Sequence, residues 1–204
     1  VKNQQFYFKE GISYTFVTSS AFASRYTGKG FLFDVGGSSM FPNKTNLFNV
    51  LCYLSSKLTF SGLKAVNPTL NFQVGNLKQL PYKPITDPAT KQTVEITAQS
   101  LISLSKSDWD AYERSWDFKR HPLLTDDVKS SLLETGYKAL RQKWQAMTDR
   151  MKELEECNNE LFINHYGLQG ELDPQVPLRE ISLTCNPHYR YPPNRSNPFD
   201  PKKA

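Results

Sequence analysis

The stretch that decides the fold is LETGYKALRQKWQAMTDRMKELEECNNEL, residues 133–161. Leu133, Tyr137, Leu140, Trp144, Met147, Met151 and Leu154 follow one another in steps of four and three, and Leu161 resumes the register after Asn158. That spacing draws one apolar seam along a helix, in the manner of a coiled coil. Thr125 as a cap, Asp126-Asp127 in the first turn and Gly167 after Tyr166 put the expected helix at about 126–166. At 1.5 Å per residue it would be roughly 60 Å long. A helix of that length has to pack along another long helix or project from the body. Gly136 inside the pattern weakens it by about 1 kcal/mol relative to Ala.

Upstream the pattern changes. Residues 5–35 read as β structure, with Phe6, Phe8, Ile12, Tyr14, Phe16 and the run GFLFDV punctuated by glycines. Gly36-Gly37-Ser38-Ser39 makes a turn. A helix capped by Thr45 or Asn46 then carries Leu47, Val50, Leu51, Leu54 and Leu58 on one face. After Asn67-Pro68, LNFQV reads as a short strand and GNLKQL as a turn or two of helix stopped by Pro81. Residues 81–93, with Pro81, Pro84 and Pro88, read as a connector, and 94–104 as weakly alternating, extended chain. The expected class is α+β: β hairpins and short helices, then a long coiled-coil-like helix. The expected division is 1–83 for the β-rich unit, 84–125 for a connector wrapping on the body, 126–167 for the long helix and 168–204 for a loop-like tail. Five prolines at 187, 192, 193, 198 and 201 predict poor order in the tail.

The chain has 204 residues, 38% of them hydrophobic, with 13 Phe, 10 Tyr and 3 Trp, which argues for a packed core and against disorder. Mean hydropathy is −0.55 and no apolar run approaches a membrane span, so no membrane partner is expected. Cys52, Cys157 and Cys185 are odd in number and far apart, and His121, His165 and His188 are scattered. Neither a disulfide framework nor a metal site is expected, in keeping with a reducing, cytoplasmic setting. The chain opens on VKNQQFYF without an initiator Met or a secretory apolar region, and closes on PFDPKKA. The ends read as those of a piece of something longer.

Charge is unevenly placed. Residues 1–92 hold 10 Lys and Arg against 3 Asp and Glu, a net of +7, while residues 93–204 hold 15 against 17, a net of −2. A basic half steers anionic partners, double-stranded DNA first among them, although plain surface solvation explains the same composition. Arg25, Tyr26, Lys29, Lys44, Lys64, Lys78 and Lys83 punctuate its turns and element ends. Asn71 and Gln73 add amides of the geometry that reads adenine. FLFDVGG, residues 31–37, has the outline of a nucleotide loop but lacks the G-x-G-x-x-G spacing, so a strand ending in a tight turn is preferred. Asn186-Pro187-His188-Tyr189 has the outline of the Asn-Pro-Pro-Tyr tetrad of amino-methylating enzymes, but with His in place of the second Pro. A plain turn is again preferred. No catalytic residue, no resident cofactor and no metal ligand is assigned.

Together these segments resemble the C-terminal part of the BREX phage-resistance adenine-specific DNA methyltransferases of the PglX type and related fused type II restriction-modification methyltransferases. The resembling stretches are GISYTFVTSSAFASRY (11–26), GFLFDVGG (30–37), LFNVLCYLSSK (47–57), NPTLNFQVGNLKQLP (67–81), SWDFKRHPLL (115–124), NNELFINHYGLQGELDP (158–174) and NPHYRY (186–191). The helix with GNLKQLP is also similar to the target recognition domains of type I specificity subunits. The resemblance implies a parent enzyme that methylates adenine N6 with S-adenosylmethionine, with both the cofactor loop and the Asn-Pro-Pro-Tyr upstream of Val1. This segment would be a partial target-recognition domain with a helical spacer. Its expected partners are double-stranded DNA, the parent's catalytic domain and other phage-defence proteins.

Two other readings stand beside this one. A protein-interaction module would use the 133–161 seam to dock on another helix without touching DNA, and Leu140→Glu with Leu154→Glu would then break association. An autonomous enzyme would bind S-adenosylmethionine itself, and no such binding is expected.

Overall fold

The computed structural model describes residues 3–18, 21–67 and 69–190. Pro68 and the stretch beyond Arg190, with the expectations for Pro192, Pro193, Pro198 and Pro201, lie outside the described residues. The arrangement is mixed α+β, with one small open sheet, short helices and two long ones. It divides into two compact units, one made of Val1–Ala98 with Cys157–Pro174 and the other of Gln99–Glu156 with the chain from Gln175 onward.

In the first unit, β1 (Gly11–Tyr14) is the central strand between β2 (Ser24–Thr27) and β3 (Ser39–Met40), both antiparallel to it. Ile12 faces Tyr26 on one side and Met40 on the other. Gly11 is required by close approach, since a Cβ there would sit 2.7 Å from the Met40 carbonyl oxygen and 2.9 Å from the Phe41 ring. The β reading of residues 5–35 holds only in part. Gln4–Phe6 is a 3-10 turn, and GFLFDV forms no strand, leaving Phe31, Leu32 and Val35 exposed. LNFQV contributes only an isolated bridge, Asn71 opposite Val17, with the Phe72 N–H donating to the Phe16 carbonyl at 2.7 Å.

The helix expected across Leu47–Leu58 is two helices, α1 (Leu47–Leu54) and α2 (Lys57–Val66). Ser56 takes an extended conformation; its hydroxyl donates to the Tyr53 carbonyl at 2.6 Å, closing the first helix, and accepts the Thr59 N–H at 3.5 Å, capping the second. Thr45 lies in the preceding 3-10 turn, and Asn46 makes no side-chain cap. The short α3 (Val74–Lys78) follows as expected.

The largest correction is α4, Pro88–Asp110, where a connector and extended chain were expected. Asp87-Pro88 is a helix start. The Asp87 carboxylate accepts from both the Thr90 N–H at 2.8 Å and the Thr90 hydroxyl at 2.6 Å, and these bonds hold its carboxyl below the usual range. Proline at the first helical position sacrifices no intrahelical bond. Thr90, Thr93, Val94, Ile96 and Thr97 favour strands in isolation. Their weak preference yields to burial of Val94 and Ala98 in the first unit.

The long helix, α5, runs Leu133–Tyr166 and so starts seven residues later than the sequence suggested. Thr125 bonds back to the Pro122 carbonyl at 2.6 Å, and Asp127 reaches forward to Lys143 at 2.7 Å, so neither serves the helix start. The chain before α5 folds onto its first turns, where a Cβ on Gly136 would lie 3.2 Å from the Val128 carbonyl oxygen. Gly136 therefore permits that approach. At its other end the helix closes as expected, with Gly167 at φ 72°, the Leu168 N–H on Ile163 O at 3.0 Å and the Gly167 N–H on Asn164 O at 3.1 Å.

In the second unit, Met151 packs with Val176, Ile181, Leu183 and Cys185, and Leu101, Leu104, Trp144 and Met147 lie against them. The segment expected as a loop-like tail thus places Val176, Ile181, Leu183 and Cys185 in this core, and Asn186 after them is fully buried. Asp108, on the last turn of α4, anchors the segment: the carboxylate accepts the Thr184 N–H at 2.6 Å and the Cys185 N–H at 2.9 Å. On α5, Glu155 is partly buried near Glu180 and Glu156, and its carboxyl is pushed up to about 7, first by desolvation and then by those two charges. The folded chain therefore holds a proton that the unfolded chain releases near pH 4.5, and stability falls as pH rises from about 4.5 through 7. Glu155→Gln should flatten that fall. The variant should be more stable than the parent by roughly 3 kcal/mol above pH 7 and equal to it near pH 4. Urea unfolding from pH 4 to 8 measures the difference.

Candidate nucleic-acid interface

All nine residues expected to meet DNA lie in the first unit. Arg25 and Tyr26 are neighbours on the edge strand β2, and Lys29 is in the turn beyond it. Lys44 opens the 3-10 turn before α1, Lys64 is on α2, Lys78 ends α3, and Asn71 and Gln73 flank the buried Phe72. Lys83 follows the turn after α3. Eight of the nine are exposed; Tyr26 is half-buried. No hydrogen bond joins one of these side chains to another among the described residues.

Their electrostatic surroundings are distinctive. In the second unit, cations pair with carboxylates along the helices: Lys106 with Asp110, Lys143 with Asp127, Arg150 with Glu153 and Lys152 with Glu156. Among the described residues no carboxylate pairs with Arg25, Lys29, Lys44, Lys64, Lys78 or Lys83. Exposed cations without carboxylate partners keep their full attraction for phosphate. Three of the nine residues are held by local contacts. The Tyr26 hydroxyl donates to Glu10 at 3.1 Å, and burial together with that carboxylate pushes its pKa up. The Lys83 ammonium donates to the His165 carbonyl at 3.2 Å. Lys64 lies 4.2 Å from the Phe60 ring centroid.

The frame beneath these residues is set by α5. Asn158 donates to the Cys52 carbonyl at 3.0 Å; Asn159 accepts the Lys57 N–H at 2.9 Å and donates to the Pro174 carbonyl at 3.0 Å. Tyr166 donates to the Pro81 carbonyl at 2.7 Å and accepts the Lys83 N–H at 2.6 Å, which fixes the segment after α3. Sequence reading missed Asn158 and Asn159. The available signal was two adjacent asparagines inside a helix, where their propensity is poor unless the amides are used.

The two motifs with enzymatic outlines serve the fold. The Asn186 amide donates to the Leu178 and Ile181 carbonyls at 2.7 and 2.8 Å, while its oxygen accepts the His188 N–H at 3.0 Å. Every polar atom of that side chain is occupied: the oxygen starts the single turn Pro187–Arg190, and the NH2 ties that turn to the chain before it. In FLFDVGG, Asp34 accepts the Gly37 N–H at 2.7 Å and closes a turn. Among the described residues no three His, Cys, Asp or Glu gather as metal ligands, and no helix is long and apolar enough to cross a membrane.

The seam residues divide by burial. Leu140, Met151 and Leu154 are buried, and Trp144, Met147 and Leu161 are half-buried, while Leu133 and Tyr137 are 77% and 45% exposed.

Comparison with known proteins supplies a relationship. The chain is 38% identical over 186 residues to the adenine-specific methyltransferase PglX of Lacticaseibacillus casei (strain Zhang), an alignment covering 89% of this chain. Over most of its length the chain is homologous to adenine-specific methyltransferases of the PglX/BrxX kind. The adenine-specific methyltransferase BrxX of Escherichia coli O9:H4 (strain HS) is 28% identical over 200 residues, covering 97% of this chain. These alignments span 15% and 16% of the two relatives' lengths. No family model matches.

Proposed function

We propose that this chain is a DNA target-recognition and spacer segment of a BREX-type, S-adenosylmethionine-dependent adenine-N6 DNA methyltransferase. In this reading the first unit grips the duplex, and α5, through the exposed Leu133 and Tyr137 of its first turns, connects the reader to the catalytic part of the parent enzyme. Cofactor binding and methyl transfer belong to that other part, and none of the residues described above takes a catalytic role. The observation that carries the proposal is the set of exposed cations in the first unit that lack carboxylate partners, in a chain homologous to adenine-specific methyltransferases.

The test is a titration of the chain with duplex DNA at 50, 100 and 200 mM salt. If the six cations Arg25, Lys29, Lys44, Lys64, Lys78 and Lys83 all engage phosphates, affinity should fall about a thousandfold across that range. Reversing Lys29, Lys44 and Lys78 to Glu should weaken binding and flatten the salt slope. Absence of binding at 50 mM, or an unchanged slope in the reversed variant, would count against the proposal. The exposed Leu133 and Tyr137 favour a second reading, a helical module that docks on a protein of the same defence complex. In that reading the chain shows no salt-dependent duplex binding, and Leu133→Glu with Tyr137→Glu abolishes its association with that protein.

A further inference from the structure

The N-terminal aromatic residues form a ladder with an open end. The Phe6 and Phe41 rings stack at 4.9 Å and 15°, Phe41 meets Phe33 at 5.1 Å, Phe33 meets the edge of Tyr7 at 5.6 Å, and Tyr7 meets Phe8 at 6.3 Å. Phe8, the last ring, is 58% exposed. Its backbone is left-handed, at φ 62°, a conformation that costs a bulky L-residue about 1–2 kcal/mol. Two reciprocal bonds hold it there: the Phe8 N–H donates to Phe31 O and the Gly30 N–H donates to Phe8 O, both at 3.1 Å. This clamp brings the backbone of Phe8 against that of Phe31, which is 52% exposed, and the next residue, Leu32, is 62% exposed. Lys9 and Lys29, both exposed, flank the two clamped segments in sequence. Neither pairs with a carboxylate among the described residues. Glu10 and Asp34 nearby are engaged with the Tyr26 hydroxyl and the Gly37 N–H.

We propose that Phe8, Phe31 and Leu32 form a base-stacking wedge that enters a base step of bound DNA while Lys29 holds an adjoining phosphate. The inference rests on the DNA-binding reading above and adds to it the surface that meets the bases. Backbone strain kept at a largely exposed ring marks a position held for contact. Apolar side chains with cationic flanks are the means by which proteins unstack a step, and the ladder beneath keeps the wedge rigid. The charge around it, +7 across residues 1–92, selects a polyanion over a neutral apolar surface.

The test compares one duplex in two forms, fully matched and with a single abasic site, by competition anisotropy with the 204-residue chain. A wedge binds the abasic form more tightly, because the unstacking cost is already met, by about tenfold. Phe8→Gly removes the ring and suits the left-handed backbone, so it does not threaten folding; Phe31→Ser changes an exposed side chain. Together they should bring the preference to about one while leaving the salt slope intact. Equal affinity of the parent chain for both duplexes, or a preference that survives the double variant, overturns the wedge and leaves the DNA-binding reading standing if the salt slope is steep. Failure of the parent chain to bind either duplex overturns both.

Discussion

Asp108→Ala is expected to remove about 3–5 kcal/mol from the stability of the second unit, a large share of the roughly 5–15 kcal/mol typical of a folded domain. Asp108 is 5% exposed, and its carboxylate is the acceptor for the N–H groups of both Thr184 and Cys185. A hydrogen bond to a charged acceptor contributes about 1.5–3 kcal/mol, and leaving its donor buried without a partner costs about the same. The segment it holds carries Ile181, Leu183 and Cys185 into the core around Met151. Losing the anchor therefore also releases apolar surface. Asp108→Asn keeps the shape and one acceptor oxygen but turns an NH2 toward the second donor, so it should lose about 2 kcal/mol. Urea unfolding followed by the fluorescence of Trp144, which lies against this core, should show a lowered midpoint in the order Asn then Ala. A midpoint within 0.2 M of the parent for Asp108→Ala would contradict the anchor.

Leu140→Glu should be nearly as damaging, at about 4 kcal/mol or more, because Leu140 is 1% exposed within its own chain. The substitution puts an ionisable group where a full apolar side chain is buried, adding the cost of desolvating charge to the lost transfer energy. It consequently does not test whether the seam recruits another protein, as its place in the heptad pattern suggested. A loss of association in that variant would report unfolding. Leu133→Glu and Tyr137→Glu test recruitment instead, since both side chains are exposed and such changes normally shift stability by less than about 0.5 kcal/mol. Circular dichroism melts of the three variants separate the cases.

Much of α5 was legible because its information is local. Seven apolar residues at steps of four and three specify one helical face whatever surrounds them, and Gly167 specifies the end through its tolerance of positive φ. The start was misread because Thr125 and Asp126-Asp127 carry an N-cap composition, yet Thr125 and Asp127 find other partners in Pro122 and Lys143. α4 was misread for a related reason. Asp87-Pro88 fits a connector and a helix start equally well, and β-branched residues along 90–97 point locally toward extension. What tips the balance is burial of Val94 and Ala98 together, a nonlocal energy that no window of sequence displays. The candidate interface was legible as charge. The aromatic ladder and the left-handed Phe8 were not, since Phe6, Phe33 and Phe41 come together only after the chain has doubled back.

The sequence by itself determined the long amphipathic helix, the basic character of the first ninety residues and the α+β class, because periodicity, composition and charge are properties of the chain before it folds. Only the tertiary structure decided that Val176, Ile181, Leu183 and Cys185 enter the core, that Asn186 serves a turn and that the seam is buried at Leu140, Met151 and Leu154. Those outcomes depend on which distant donor, acceptor or apolar face each segment meets. Asp108 and Thr184 lie 76 residues apart, and their bond exists only once folding has brought them to 2.6 Å.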